Sequence, residues 1–171
     1  MDMKNRLTPV YLVLVLFLLP FTSNSQEKFD VSIGLAIPEG YNLGFKYNYE
    51  TNRSLDFYYG QSVPFERNTK WRSFSINHAL YFGKINPKVN EKLWSVNTGF
   101  LYGISNDNDA RIQNGFLNLY FSREIIIFPK IYIEPKLGSS YLLFYDVSRG
   151  FINGYVIRFI PNFGLSLGLK I

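Results

Sequence analysis

The chain has 171 residues, among them 18 Lys+Arg, 13 Asp+Glu, one His and no Cys, for a formal charge of +5. That length holds one domain. Without thiols, disulfides, thiolate metal sites and a lipid-modified N-terminal cysteine are excluded, and the modest, dispersed charge lacks the gathered basic stripe of a nucleic-acid binder.

The N-terminus is the most legible segment. "MDMKNR" is a short polar start with Lys4 and Arg6, "VYLVLVLFLLP" is an apolar core, and "FTSNSQ" offers small residues at Ser23 and Ser25. These are the three parts of a cleavable secretory signal, and the apolar run falls short of the roughly 20 residues a membrane helix needs. The expected organisation is a signal peptide over 1–25, exported by the Sec pathway and removed, and one domain over 26–171. Removal takes Lys4, Arg6 and Asp2 from the 18 basic and 13 acidic residues, leaving 16 against 12.

Beyond residue 26 the apolar residues recur at period two, the signature of strands. "KFDVSIGLAIP" sets Phe29, Val31, Ile33, Leu35 and Ile37 against Asp30, Ser32, Gly34 and Ala36. After "PEG", "YNLGFKYNYE" sets Tyr41, Leu43, Phe45, Tyr47 and Tyr49 against Asn42, Gly44, Lys46, Asn48 and Glu50. "ETNR" is a tight turn that Asn52 suits. A third run presents Leu55, Phe57 and Tyr59; the fourth presents Phe74, Ile76, Leu80 and Phe82; the fifth presents Trp94, Val96, Phe100, Tyr102 and Ile104. "NDNDA" is a solvated loop. The sixth run carries Leu117, Leu119, Phe121 and Ile125 with Arg123 on the same face, and "FPK" turns into the seventh, with Ile131, Ile133, Leu137 and Leu143. Pro135 on that seventh face cannot donate to a ladder and marks a bulge or shifted register. The eighth alternates through Tyr155, Ile157, Phe159, Phe163, Leu165, Leu167, Leu169 and Ile171, with Pro161 on the same face.

Alternation alone does not say which face is inside. The non-apolar face is built from Gly, Ser, Asn and Ala, too small and too sparsely charged for a sheet in water but suited to the narrow interior of eight curved strands. Tyr41, Trp71, Trp94, Tyr102, Tyr132, Tyr145 and Tyr155 fall near strand ends, where amphipathic rings line a headgroup girdle. A lipid-facing strand must pair every backbone group, so the expected fold is all-β: a closed, antiparallel, up-and-down transmembrane β-barrel of eight strands. The expected address is the bacterial outer membrane. A soluble lipocalin-like binding barrel is the alternative architecture.

On these strands the mature chain resembles the small eight-stranded outer-membrane proteins of the OmpA/OmpX kind. In that family the last strand is the signal read by the barrel-assembly machinery, by alternate apolar residues and usually a final aromatic. Phe163, Leu165, Leu167, Leu169 and Ile171 match the alternation, and Ile171 departs from the aromatic ending. The resemblance implies lipid, lipopolysaccharide and the assembly machinery as partners, and carries over no functional residues.

If the apolar set faces lipid, the opposite face encloses Asp30, Lys46, Asp56, Glu124, Glu134, Lys136, Arg158 and Lys170. Charges withdrawn from water need partners, so this balanced set is expected to form an internal network, and an eight-stranded barrel is just wide enough for its own side chains. No general pore is expected; a narrow solute conduit is the alternative. "GLSLG", Gly164–Gly168, satisfies the G-x-S-x-G hydrolase pattern, but that chemistry needs a strand-to-helix turn with acid and His partners downstream, and three residues follow. His78, the one histidine, shares the face of Phe74, Ile76, Leu80 and Phe82, so it points to lipid or marks a bulge. Lipid A deacylases of similar size pair a His with a Ser two residues on; here Leu80 stands in that place. No catalytic residue, cofactor or metal ligand is assigned. The loops "PEG", "VPFERNTK", "SNDNDAR" and "DVSRGFING" share one end, where Lys70, Arg67 and Arg149 could meet lipopolysaccharide phosphates. The expected role is non-enzymatic: envelope structure or surface interaction.

Overall fold

A computed structural model describes residues 29–61, 70–83, 94–106, 110–149 and 157–171. The segment expected to be a signal peptide, Arg67 and Tyr155 lie outside the described residues. Nine strands are found among them: β1 (Phe29–Ile37), β2 (Gly40–Glu50), β3 (Arg53–Gln61), β4 (Lys70–Phe82), β5 (Trp94–Asn106), β6 (Arg111–Ser122), β7 (Ile125–Phe128), β8 (Ile131–Arg149) and β9 (Phe159–Lys170). Each strand pairs antiparallel with its neighbour in sequence, save that β6 and β7 lie end to end along β8, and β9 closes onto β1. The result is a closed barrel of eight staves, which leaves no sheet edge along its paired length.

The interruption between β6 and β7 has a local cause. Pairing with β8 ends at Ser122↔Lys136 and resumes at Ile125↔Ile133. Between them Pro135 accepts a bond from Arg123 N–H at 3.2 Å. A residue in an antiparallel ladder points its N–H and C=O toward the same neighbour, so the proton that Pro135 lacks is missing on this side. Pro161 falls where β9 has run past its last β1 partner, at Ile37↔Phe163, on a stretch flanked by β8 alone.

Register fixes the barrel's shape. Starting at Lys170 of β9, successive partners are Asp30, Lys46, Asp56, Asn77, Gly99, Asn118 and Ser140, and the path returns to β9 at Ile160, ten residues from its start. With about 3.3 Å per residue and ~4.8 Å between strands, that offset tilts the strands by about 41°. Residues 29 and 170 and the Thr51–Asn52 turn lie at one mouth. The Pro38–Glu39 turn and the strand ends flanking the other three loops lie at the opposite mouth. The wall is uneven, with nine residues in β1 and nineteen in β8.

The alternation divides inside from outside, and the polar side is inside. Leu43, Leu137 and Phe163 are exposed, while Asp30, Asp56, Asn77, Asn97, Glu124 and Glu134 are buried. This inverts a water-soluble barrel. Three residues expected in the aromatic girdle turn inward instead. Tyr132 is fully buried, because it shares the parity of Glu134 and Lys136 on β8. Trp71 shares that of Ser73 and Ser75, and Tyr145 packs with it against the buried Leu101, Phe116 and Leu142. Tyr41 and Trp94 remain on the exterior.

Candidate functional site

The chemistry of this molecule is gathered in its lumen. The diagonal register row begins Lys170, Asp30, Lys46, Asp56 on four adjacent staves, alternating in sign. Opposite charges set directly across strands attract, and here they do so shielded from water. Lys46 lies centrally: its Nζ is 2.9 Å from Glu124 Oε1 and 3.3 Å from Glu134 Oε2. Glu124 also faces Lys170 Nζ at 3.4 Å, and Glu134 faces Lys136 Nζ at 3.9 Å. A chain of alternating charge thus runs Lys170, Glu124, Lys46, Glu134, Lys136 along the lumen.

Hydroxyls and rings complete it. Ser122 Oγ donates to Glu134 Oε1 at 2.6 Å, and Tyr81 OH to Glu124 Oε1 at 3.2 Å. Ser54 Oγ donates to Asp56 Oδ1 at 2.7 Å, while Asn48 Nδ2 and Tyr132 OH donate to the two oxygens of Asp30 at 3.2 and 3.4 Å. Lys136 Nζ donates to Tyr58 OH at 2.7 Å and stands 4.0 Å above the Tyr58 ring. The tyrosines fill the width that the short side chains leave. Each ring leans over a glycine, its register partner on the adjacent strand: a Cβ at Gly44 would strike the Tyr58 ring, and one at Gly168 the Tyr132 ring. Nearer the mouth that holds the Pro38–Glu39 turn, Leu101, Phe116 and Leu142 replace ion pairs with an apolar cluster. Such a lumen is packed, as the barrel's width requires.

Of the eight residues expected in an internal network, Asp30, Lys46, Asp56, Glu124, Glu134, Lys136 and Lys170 are buried together. Arg158 is exposed, one residue before β9 begins, and takes no part. Its carbonyl still accepts a bond from Leu142 N–H at 2.8 Å, but its side chain is exposed where β9 begins, beyond the enclosed part of the lumen. Glu39 belongs with the buried set and went unnoticed in the sequence, because it sits in the "PEG" turn, where a charged residue ordinarily faces water. Phe163, Leu165, Leu167 and Leu169 line the outside of β9, with Ile171 exposed just beyond it.

The two residues weighed for catalysis lie on opposite sides of the barrel wall. Ser166 of "GLSLG" is buried in the lumen on β9, with Gly34 and Glu134 as register neighbours. His78 projects from the outside of β4, beyond the barrel wall from Ser166. Its ring stacks on Tyr49 at 5.9 Å between centroids, and Nε2 is hydrogen-bonded to the Tyr49 hydroxyl. Arg53 and Glu50, 3.3 Å apart, pair near the same mouth. Among the described residues no three His, Cys, Asp or Glu side chains converge as a metal site.

No family model matches this chain, and no curated protein does. Among solved structures, Acinetobacter baumannii CarO aligns with a TM-score of 0.45 and 10% identity, over 84% of this chain and 97% of that one. The N-terminal β-barrel domain of Pseudomonas aeruginosa OprF aligns with a TM-score of 0.52 and 9% identity, over 85% of this chain and all of that domain. The closed eight-stave antiparallel barrel expected from the sequence is therefore the fold of this chain, and it is shared with the OprF N-terminal domain.

Proposed function

We propose that this chain is an integral β-barrel protein of the bacterial outer membrane, exported through the Sec pathway, with an envelope-structural or surface-interaction role and no catalytic activity. The observation that carries this reading is the inversion of the barrel. The lumenal charges are buried, with Lys46, Lys136, Lys170, Glu124 and Glu134 in ion pairs, while leucine, isoleucine and phenylalanine cover the outside. In water that exterior would cost about 25 cal/mol for each Å² of apolar surface exposed; in acyl chains it is solvated. A closed antiparallel barrel also meets the demand that no backbone group face lipid unpaired.

Partners follow from the same geometry. The exterior takes acyl chains. Lys70, Arg72 and Arg111, exposed toward the mouth that holds the Pro38–Glu39 turn, are our candidates for contact with lipopolysaccharide phosphates. The exterior face of β9, Phe163 to Leu169 with Ile171 beyond, is offered to the barrel-assembly machinery. The packed lumen supports a wall or platform over a diffusion channel.

The deciding experiment is electrophoresis of the membrane fraction with and without boiling, since a small barrel stays folded in detergent until heated. A band that shifts on boiling, recovered with outer membranes, is expected. Recovery in the aqueous fraction after lysis overturns the reading.

A further inference from the structure

The β1–β2 turn does not stand clear of the barrel. Trp71 Nε1 donates to the Pro38 carbonyl at 3.1 Å, and Ser73 Oγ to the Glu39 carbonyl at 3.0 Å. A side chain at Gly60 would collide with that same carbonyl. Gly40, at φ 80°, lets the chain re-enter β2 from this bend. The turn is therefore drawn down into the mouth it borders.

Its tip carries an acid. Glu39 is 5% exposed, although it occupies one of two residues joining adjacent strands. Its carboxyl takes a hydrogen bond from its own main-chain N–H, and Oε2 has no partner. Lys136 of β8 and Tyr120 of β6 are the titratable groups that act on it directly. Lys136 is already committed to Tyr58 of β3 and to Glu134, with Asp56 of β3 beyond the Tyr58 hydroxyl. From β4 the neighbours are Trp71 and Ser73, and from β2 Asn42, none of which titrates near neutrality. Five buried carboxyls, Asp30, Glu39, Asp56, Glu124 and Glu134, thus share the described lumen with three lysines.

We propose that the β1–β2 turn is a proton-latched plug: a neutral Glu39 keeps it seated in the mouth, and an ionised Glu39 releases it. A carboxylate with one oxygen lacking a donor is costly where it is buried and well solvated outside. Burial raises the Glu39 pKa above its ordinary 4.5, outweighing its own N–H and Lys136, which lower it. The seated turn therefore holds the proton more tightly than the free turn does. Acid favours seating, and rising pH favours release. Release exposes Trp71 and Ser73, while the ion-paired lumen beneath stays closed.

The chain supplies its own reporter. Its two tryptophans are Trp71, bonded to the plug, and Trp94, which lies on the exterior beside Arg123. In a Trp94→Phe background, acrylamide quenching of Trp71 is measured on the folded chain in detergent from about pH 4 to about pH 9. The quenching constant is expected to rise at least about threefold across the titration as the open population grows. Glu39→Gln is expected to hold the acid value throughout, with the heat-dependent gel shift verifying its fold. A flat profile in the Trp94→Phe protein, or the same rise in Glu39→Gln, overturns the proposal. If Glu39→Gln does not fold, Ser73→Ala serves: loss of one tether must move the midpoint to lower pH, and an unmoved midpoint overturns it equally.

Discussion

Replacing Lys46 by methionine removes the cation at the centre of the lumen while keeping nearly its length. In the native barrel that ammonium, 4% exposed, lies 2.9 Å from Glu124 and 3.3 Å from Glu134, both essentially inaccessible to water. Its loss leaves each carboxylate with a more distant lysine, Lys170 at 3.4 Å and Lys136 at 3.9 Å. Removing one partner of a buried pair costs about 3–5 kcal/mol, chiefly the desolvation of the charge left behind. With an m-value of about 2 kcal/mol/M, the urea midpoint of the micelle-folded barrel falls by roughly 2 M. The assay is equilibrium unfolding followed by tryptophan fluorescence and by the unboiled gel band. Because the penalty belongs to the orphaned acids, adding Glu124→Gln recovers about 1–3 kcal/mol of coupling. Additive losses in the double variant, or a Lys46→Met midpoint within error of the native one, refute the account of the lumen as an interdependent ion chain.

Gly168→Val drives a side chain into the Tyr132 ring and is expected to cost about 1–3 kcal/mol in the same unfolding experiment, a loss that Tyr132→Ser partly reverses. Phe45→Arg places a charge on the exterior face of β2 and destabilises the barrel by about 2–4 kcal/mol if that face meets the middle of a bilayer; unchanged folding into vesicles would contradict the lipid-facing assignment. Ser166→Ala leaves the lipid A mass spectrum unchanged, as expected of a lumenal serine; a shifted acylation pattern would restore an enzymatic reading. Because the Glu39 pKa is raised in the fold, its contribution is fully present below about 4.5 and is lost as pH rises through the folded value. The urea midpoint therefore falls between acid and mildly alkaline buffer in the native chain and falls less in Glu39→Gln.

Most of this architecture was legible because strand periodicity is a two-state signal: once Asp30, Lys46 and Asp56 are assigned to one face, every second residue follows them. Tyr58, Tyr81 and Tyr120 obey the same parity as their polar neighbours and are buried. Aromatic identity hid this, since tyrosine suits a membrane interface as readily as a tyrosine-lined lumen. Parity also misled once. Arg158 shares the inward count of Asn162 and Ser166, and its carbonyl is bonded to Leu142 N–H, but it stands just before β9, and parity does not say how far along the wall the enclosed lumen reaches. Glu39 was hidden for the opposite reason: turns have no period, and its burial comes from tethers supplied by Trp71 and Ser73 on β4, 32 and more residues away in sequence. The β6–β7 gap was foreshadowed by Pro135, although which neighbour would lose its partner depended on the side to which the missing N–H pointed.

The unequal staves give the molecule a front and a back. At a tilt of about 41° and ~3.3 Å per residue, the nineteen residues of β8 rise about 47 Å and the nine of β1 about 22 Å. If that exterior is set in an apolar band of about 25 Å, the short side spans it with the β1–β2 turn at its rim, and the tall side stands clear of it. Anything approaching that mouth meets a taller strand wall on one flank than on the other, so contacts made there are lopsided and orient the visitor about the barrel axis.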